Sequence, residues 1–369
     1  MITKVIFGFK YSYLSNEEIL FIKKYHPYGI IFFERNIKSI DQFKSLINHI
    51  KSLVNYNLSF VIDHEGGKIN RFNKIFSQKK YSARYFGEMY NKDRKKYKKE
   101  LDYFLTFNVN LFRLLGINAV AYPGLDILYS KTHKIIKDRC FSSKKKQIVN
   151  IAKYVINFYQ SNKISCISKH APGHGLSTKD SHLSLPVVTE NKKFLMKNDF
   201  ETFKNIKSHY MMTAHIHYKN FDKKCATYSK HILQDIIKKK LNFKGKIITD
   251  DICMKGLKGN LKMRSIQPLI AGCDLILHCN GNMNEMLHVA KYVRSKKINK
   301  ILLLLFEFRM NKNLNQVENF DLNIDNYEGP LDLLLDLAKT QKVDLMQISI
   351  EQLADSYIKV IEKVKKNLE

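Results

Sequence analysis

The run GKIITD, Gly245–Asp250, is a glycine followed by a short apolar stretch that ends on a carboxylate. A stretch of that length, rich in isoleucine, reads as a buried strand. The same grammar recurs along the chain. Eight such runs can be counted: Lys4–Phe9, Gly29–Phe33, Leu58–Asp63, Gly116–Asp126, Ile164–His170, Tyr210–His217, Gly245–Asp250 and Cys273–Cys279. Amphipathic helical stretches separate them. Strands alternating with helices predict a parallel α/β fold, and eight units over roughly 300 residues predict one closed (β/α)8 barrel, the TIM barrel.

Polar residues collect at the C-terminal ends of these runs: Asp63, Asp126, Lys169 and His170, His215, Asp250 and Asn280. In a (β/α)8 barrel those ends surround the active-site mouth. Any one such aspartate is explained as well by capping the next helix, and Asp251 is expected to do that. The set as a whole points to a site.

Three segments carry the chemistry. The first is KHAPGHG, Lys169–Gly175, followed by DSHLSLP, Asp180–Pro186. Asp180 and His182 stand two apart in a loop, so in extended backbone they point the same way. Asp180 can then fix the imidazole tautomer and leave the other ring nitrogen for proton transfer. The second is TDDICM, Thr249–Met254. Strand alternation aims Asp250 into the mouth, where a carboxylate can attack an anomeric carbon or stabilise an oxocarbenium ion. The third is DHEGGKINRF, Asp63–Phe72. Asp63 can accept from vicinal sugar hydroxyls, the glycines permit close approach of backbone, and Arg71 offers a planar fork.

Together these segments resemble glycoside hydrolase family 3, and within it the single-domain bacterial β-N-acetylhexosaminidases of cell-wall recycling. The family pattern K-H-F-P-G-H-G…D-S-H-x-x-L-P is kept with Ala171 as its one change. D-Q-E-G-G-R-V-x-R-F is kept with His64, Lys68 and Ile69 substituted, and S/T-D-D-L-x-M with Ile252. Further echoes are GIIFFERNI from Gly29, DRCF from Asp138, MMTAHI from Met211 and AGCDLILHCN from Ala271. The resemblance covers about residues 1–310. It implies Asp250 as nucleophile, His182 as general acid/base with Asp180 as its partner, and Asp63, Arg71, Arg139, Lys169 and His170 as the groups that hold a terminal N-acetylglucosamine. It implies no cofactor. A neutral histidine base repels an incoming anion less than a carboxylate, so phosphorolysis to a sugar 1-phosphate is the variant left open.

The composition changes after Arg309. Residues 311–323 read as a polar linker. The following segment, NIDNYEGPLDLLLDLAKTQKVDLMQISIEQLADSYI, resembles the N-terminal part of the kleisin ScpA of bacterial condensin, which implies a contact with the neck of an SMC ATPase. The expected layout is therefore a barrel over 1–310, a linker, and a short partial ScpA-like helical appendage over 324–369. A chromosome-associated binding module is the competing function.

The formal net charge is +29, yet the lysines are spread along the whole chain without a recognised binding module. That pattern predicts solvated faces rather than specific nucleic-acid recognition. The six cysteines form no C-x-x-C pair, so neither a disulfide framework nor a metal site is expected from their spacing. The N-terminal residues read as a strand, and no apolar run approaches bilayer length. The expectation is a cytoplasmic protein without membrane insertion.

Overall fold

The computed structural model describes residues 1–181 and 183–294. Eight strands form a closed, all-parallel barrel: β1 (Thr3–Gly8), β2 (Pro27–Phe32), β3 (Ser59–Ile62), β4 (Ala119–Val120), β5 (Ser165–Ala171), β6 (Tyr210–Thr213), β7 (Lys246–Asp251) and β8 (Leu275–His278). Each pairs with its sequence neighbours, and β1 closes on β8 through Val5 opposite Ile276 and Phe7 opposite His278. All eight expected runs thus supply one strand each. The barrel lies within one compact unit, Met1–Val293. The expected linker and ScpA-like segment fall outside the described residues.

Side-chain alternation fixes what fills the barrel. Ile6, Ile31, Val61, Ala119, Ala121, Ile167, Met212, Ile248, Leu275 and Leu277 point inward and pack as one buried cluster. Tyr28 and Tyr210 pack against it at the N-terminal end and Phe33 at the C-terminal end. Tyr28 and Tyr210 share a hydroxyl hydrogen bond of 2.8 Å, and Lys246 Nζ donates to the Tyr28 hydroxyl at 3.1 Å. The barrel is a filled core, not a pore.

The surrounding helices show ordinary start signals. Ser15 accepts from Glu18 N while Glu18 reaches back to Ser15 N, a capping box that opens Asn16–Tyr25. Asn260 caps Leu261–Ala271 and Gly272 ends it at positive φ. A π-helical segment, His231–Lys240, follows β6.

Two expected runs are shorter as strands than they read. Only Ala119–Val120 of Gly116–Asp126 forms continuous strand; Pro123, with no N–H to donate, interrupts the ladder, and pairing with β5 resumes at Gly124 opposite Lys169. Beyond Val120 the chain continues as buried coil, with Lys169 N donating to Pro123 O. Within Tyr210–His217 the barrel strand stops at Thr213, and His217–Tyr218 pairs instead with Val187–Val188 in a separate two-stranded sheet.

Candidate active site

The C-terminal ends of β3, β4, β5 and β7 converge on one mouth. Asp63 follows β3, and its carboxylate is held by Arg71 on one oxygen and by Lys169 Nζ at 2.8 Å on the other. Arg71 Nε also donates to Asp63 O at 2.6 Å. Lys169, on β5 and only 2% exposed, forms a second ion pair with Glu65 Oε1 at 2.6 Å. Arg139 forks onto Glu65 through Nε at 3.1 and 3.0 Å and through a terminal nitrogen at 2.8 Å. The same guanidinium approaches His170 Nε2 at 3.1 Å, and His170 Nδ1 meets Asp126 Oδ2 at 2.8 Å. Arginine can only donate, so Nε2 accepts and Nδ1 carries the proton given to Asp126.

Asp63, Arg71, Arg139, Lys169 and His170 are therefore brought into one buried network of alternating charge. Burial alone would raise the carboxyl pKa of Asp63, but Lys169 and Arg71 outweigh it and hold it well below the usual range. Glu65 behaves alike: burial opposes, while Arg139 and Lys169 pull it down to about 2. Glu65 is absent from the residues singled out in the sequence, and Asp126 figures there only as a strand-end carboxylate. Glu65 sits inside the third motif, and its signal was that a short acidic motif with two glycines places a second carboxylate two residues from the first.

The glycines of that motif do conformational work. Gly66 has φ +79° and Gly67 has φ +57°, a region other residues rarely enter. A Cβ on Gly66 would lie 2.3 Å from Tyr81 O. His64 anchors the same loop. Arg71 N donates to His64 Nδ1 at 3.2 Å, so Nε2 donates to Gln78 Oε1 at 2.7 Å, and Gln78 passes its amide to Asn108 Oδ1 at 2.9 Å.

His64 and His174 are both buried, and burial pushes each pKa down to about 4. Both rings stay neutral in the fold while the unfolded chain protonates near 6.5. The stability they contribute is complete above pH 6.5 and is lost as pH falls toward 4. Melting temperature should therefore drop steadily between those values. A flat profile from pH 7 to 4.5 would show that neither ring is held neutral.

Asp250 lies at the C-terminal end of β7, the end that borders the mouth, and its charge acts on the buried His215. Asp251 does not cap the next helix; Asn260 does. Asp251 Oδ1 instead accepts from Cys253 N and Cys279 N, each at 3.0 Å, and joins the ends of β7 and β8.

The loop after β5 carries Asp180. Its start is fixed by His174 N donating to Asp126 Oδ1 at 2.7 Å, and a Cβ on Gly175 would meet Ile127 O at 2.0 Å. Its far end is tied to the β7 side: Gly256 N donates to Ser181 O at 3.0 Å. Asp180 lines a cleft of about 310 Å³ together with Glu65, Arg139, Ile69, Ile135 and Lys68. The loop thus runs from the buried charge network to the turn beyond Asp250. His182 lies outside the described residues. Asp250 does not line that cleft; it stands on the opposite strand of the same mouth.

Residues 11–304 match the family model described as the glycosyl hydrolase family 3 N-terminal domain. A β-hexosaminidase of Methylobacillus flagellatus is 31% identical over 274 residues, covering 72% of this chain and 77% of that protein. One from Haemophilus influenzae is 32% identical over 286 residues, covering 75% and 80%. Among solved structures, native NagZ from Neisseria gonorrhoeae superposes with a TM-score of 0.69 at 25% identity, over 82% of this chain and 96% of that one. A β-N-acetylhexosaminidase from Beutenbergia cavernae gives a TM-score of 0.71 at 18% identity, over 85% and 96%, which bears on the fold.

Proposed function

Since the chain belongs to glycosyl hydrolase family 3 and is a β-N-acetylhexosaminidase acting on N-acetylglucosamine-containing substrates, we propose that it works by a retaining, two-step displacement with Asp250 as nucleophile. The observation that carries this reading is the placement of Asp250 on the same barrel mouth as the network that would hold the sugar. Asp63, with one lone pair free on each oxygen, accepts from sugar hydroxyls, while Lys169, Arg139 and Arg71 donate. His170 is held in register by Asp126.

In the first step the Asp250 carboxylate attacks C1 as protonated His182 donates to the leaving oxygen. In the second, neutral His182 takes a proton from water, which attacks C1 and releases Asp250. Most glycosidases use a second carboxyl as the acid. Histidine can replace it because its ordinary pKa of about 6.5 lies near neutral pH. Asp180 orients the ring. Support for the pairing comes from the Gly256–Ser181 hydrogen bond, which joins the loop holding Asp180 to the turn beyond the nucleophile.

His182→Ala should slow substrates with poor leaving groups by about 10²–10⁴-fold, the usual worth of general acid catalysis. Activated aryl glycosides, which need little protonation, should lose far less in their first step. Equal losses on both would argue against the acid role.

Peptidoglycan fragments in the cytoplasm are the proposed natural substrates, on the strength of the resemblance to the cell-wall recycling enzymes. No helix among the described residues is long and apolar enough to cross a membrane. The ScpA-like segment is proposed to reach an SMC neck. Pull-down of an SMC head by the full chain, but not by a chain ending at Arg309, would support it.

A further inference from the structure

Cys253, His278 and Glu285 stand on three successive elements: the turn after β7, the last residue of β8, and the first turn of helix Met283–Arg294. Their spacing in sequence, 25 and 7 residues, hides the relation. In the fold one ligand atom from each lies within 4.8 Å of the other two. His278 Nε2 is 3.2 Å from Glu285 Oε2.

The cluster faces away from the sugar site. Leu275, Leu277 and Cys279 point into the barrel, so His278 points out, into the layer between strands and helices, where its ring meets the edge of Phe7. His278 is fully buried, and its Nδ1 has no hydrogen-bond partner among the described residues. The ring nitrogen that faces Glu285 is the other one, Nε2, and it is the one placed to ligate. Cys253 and Glu285 are only partly buried, which leaves a path from solvent.

The donor types are informative. One thiolate, one imidazole and one carboxylate suit a borderline-soft divalent ion, zinc above all, and do not suit magnesium or calcium, which take oxygen ligands. A tetrahedral zinc with nitrogen and oxygen ligands at about 2.0–2.2 Å spaces those ligands about 3.3–3.6 Å apart. The 3.2 Å between His278 and Glu285 is close to that edge, and the sulfur needs to close in by about 1 Å at most. Asn280 Nδ2 donates to Glu285 Oε2 at 2.8 Å and steadies the carboxylate. Asp251 Oδ1 holds Cys253 N at 3.0 Å, which fixes where the thiol begins.

We propose that Cys253, His278 and Glu285 form a zinc site, with water in the fourth position. The site clamps the turn after β7 to the helix after β8, behind the nucleophile strand rather than at the sugar.

The test uses the full chain and zinc sulfate alone, titrated in competition with a chromogenic chelator, with cobalt(II) as a spectroscopic substitute. One zinc per chain is expected, and the cobalt form should show a thiolate charge-transfer band. Cys253→Ser should abolish that band, and Glu285→Gln should weaken zinc binding at least tenfold, since even outer-sphere changes cost about 10–100-fold. Glu285 is at the surface, so its variant decides the matter if Cys253→Ser does not fold. The proposal is overturned if the wild type takes up no zinc at micromolar concentration. It is equally overturned if Cys253→Ser keeps the band or Glu285→Gln keeps its affinity within twofold.

Discussion

Asp250→Ala should lower kcat on an aryl β-N-acetylglucosaminide by about 10⁴-fold, the scale seen when one member of a catalytic set is removed. Binding of N-acetylglucosamine itself should change only a few-fold. The groups expected to hold the sugar come from β3, β5 and the loop after β4, and their buried ion pairs do not depend on the β7 carboxylate. A fluorinated substrate analogue should leave a sugar attached to the peptide that contains Asp250. Hydrolysis through the substrate's own acetamido group would leave no such adduct, and its absence would send the mechanism there. Asp251→Ala is the informative neighbour. Its carboxylate holds two backbone amides, so that variant should lose stability along with rate.

Glu65→Ala is expected to have the largest effect on stability. Glu65 is 2% exposed and pairs with both Lys169 and Arg139. Its removal leaves Arg139 without its carboxylate and Lys169 with Asp63 alone, and breaking such a buried pair costs about 3–5 kcal/mol. For a unit of this size that lowers Tm by on the order of 10 °C. Activity should fall too, since Lys169 and Arg139 would lose the geometry in which they are proposed to meet the sugar. Glu65→Gln separates the causes: it keeps the shape and some hydrogen bonds but not the charge. A Glu65→Ala protein that melts within about 2 °C of the wild type would show that the ion pairs contribute nothing net.

The barrel was legible because its signal is repetitive. Each apolar run followed by a helix is weak alone, but eight in order leave few alternatives. The misreadings have local causes. Gly116–Asp126 is apolar throughout, yet hydropathy does not register that Pro123 cannot extend a ladder. Asp251 looked like a helix cap because caps are short-range and common, whereas its partners, Cys253 N and Cys279 N, include one 28 residues away.

The site was legible in the residues that would touch sugar and less so in those that hold them. Lys169, Arg139, Asp63, Arg71 and His170 stood out by motif. Glu65 and Asp126 act through these residues, and only folding shows that Glu65 lies between Lys169 and Arg139. The Cys253–His278–Glu285 group left no trace in cysteine spacing, since its members meet across three elements.

The tyrosines that seal the foot of the barrel have a consequence for the order of events. With Tyr28 and Tyr210 bonded across the base and the interior packed solid, the mouth is a cul-de-sac. Whatever enters deepest departs last. In the proposed two-step displacement the aglycone, nearer the exit, would then leave first, and the sugar held on Asp250 would wait for water to arrive through the space just vacated.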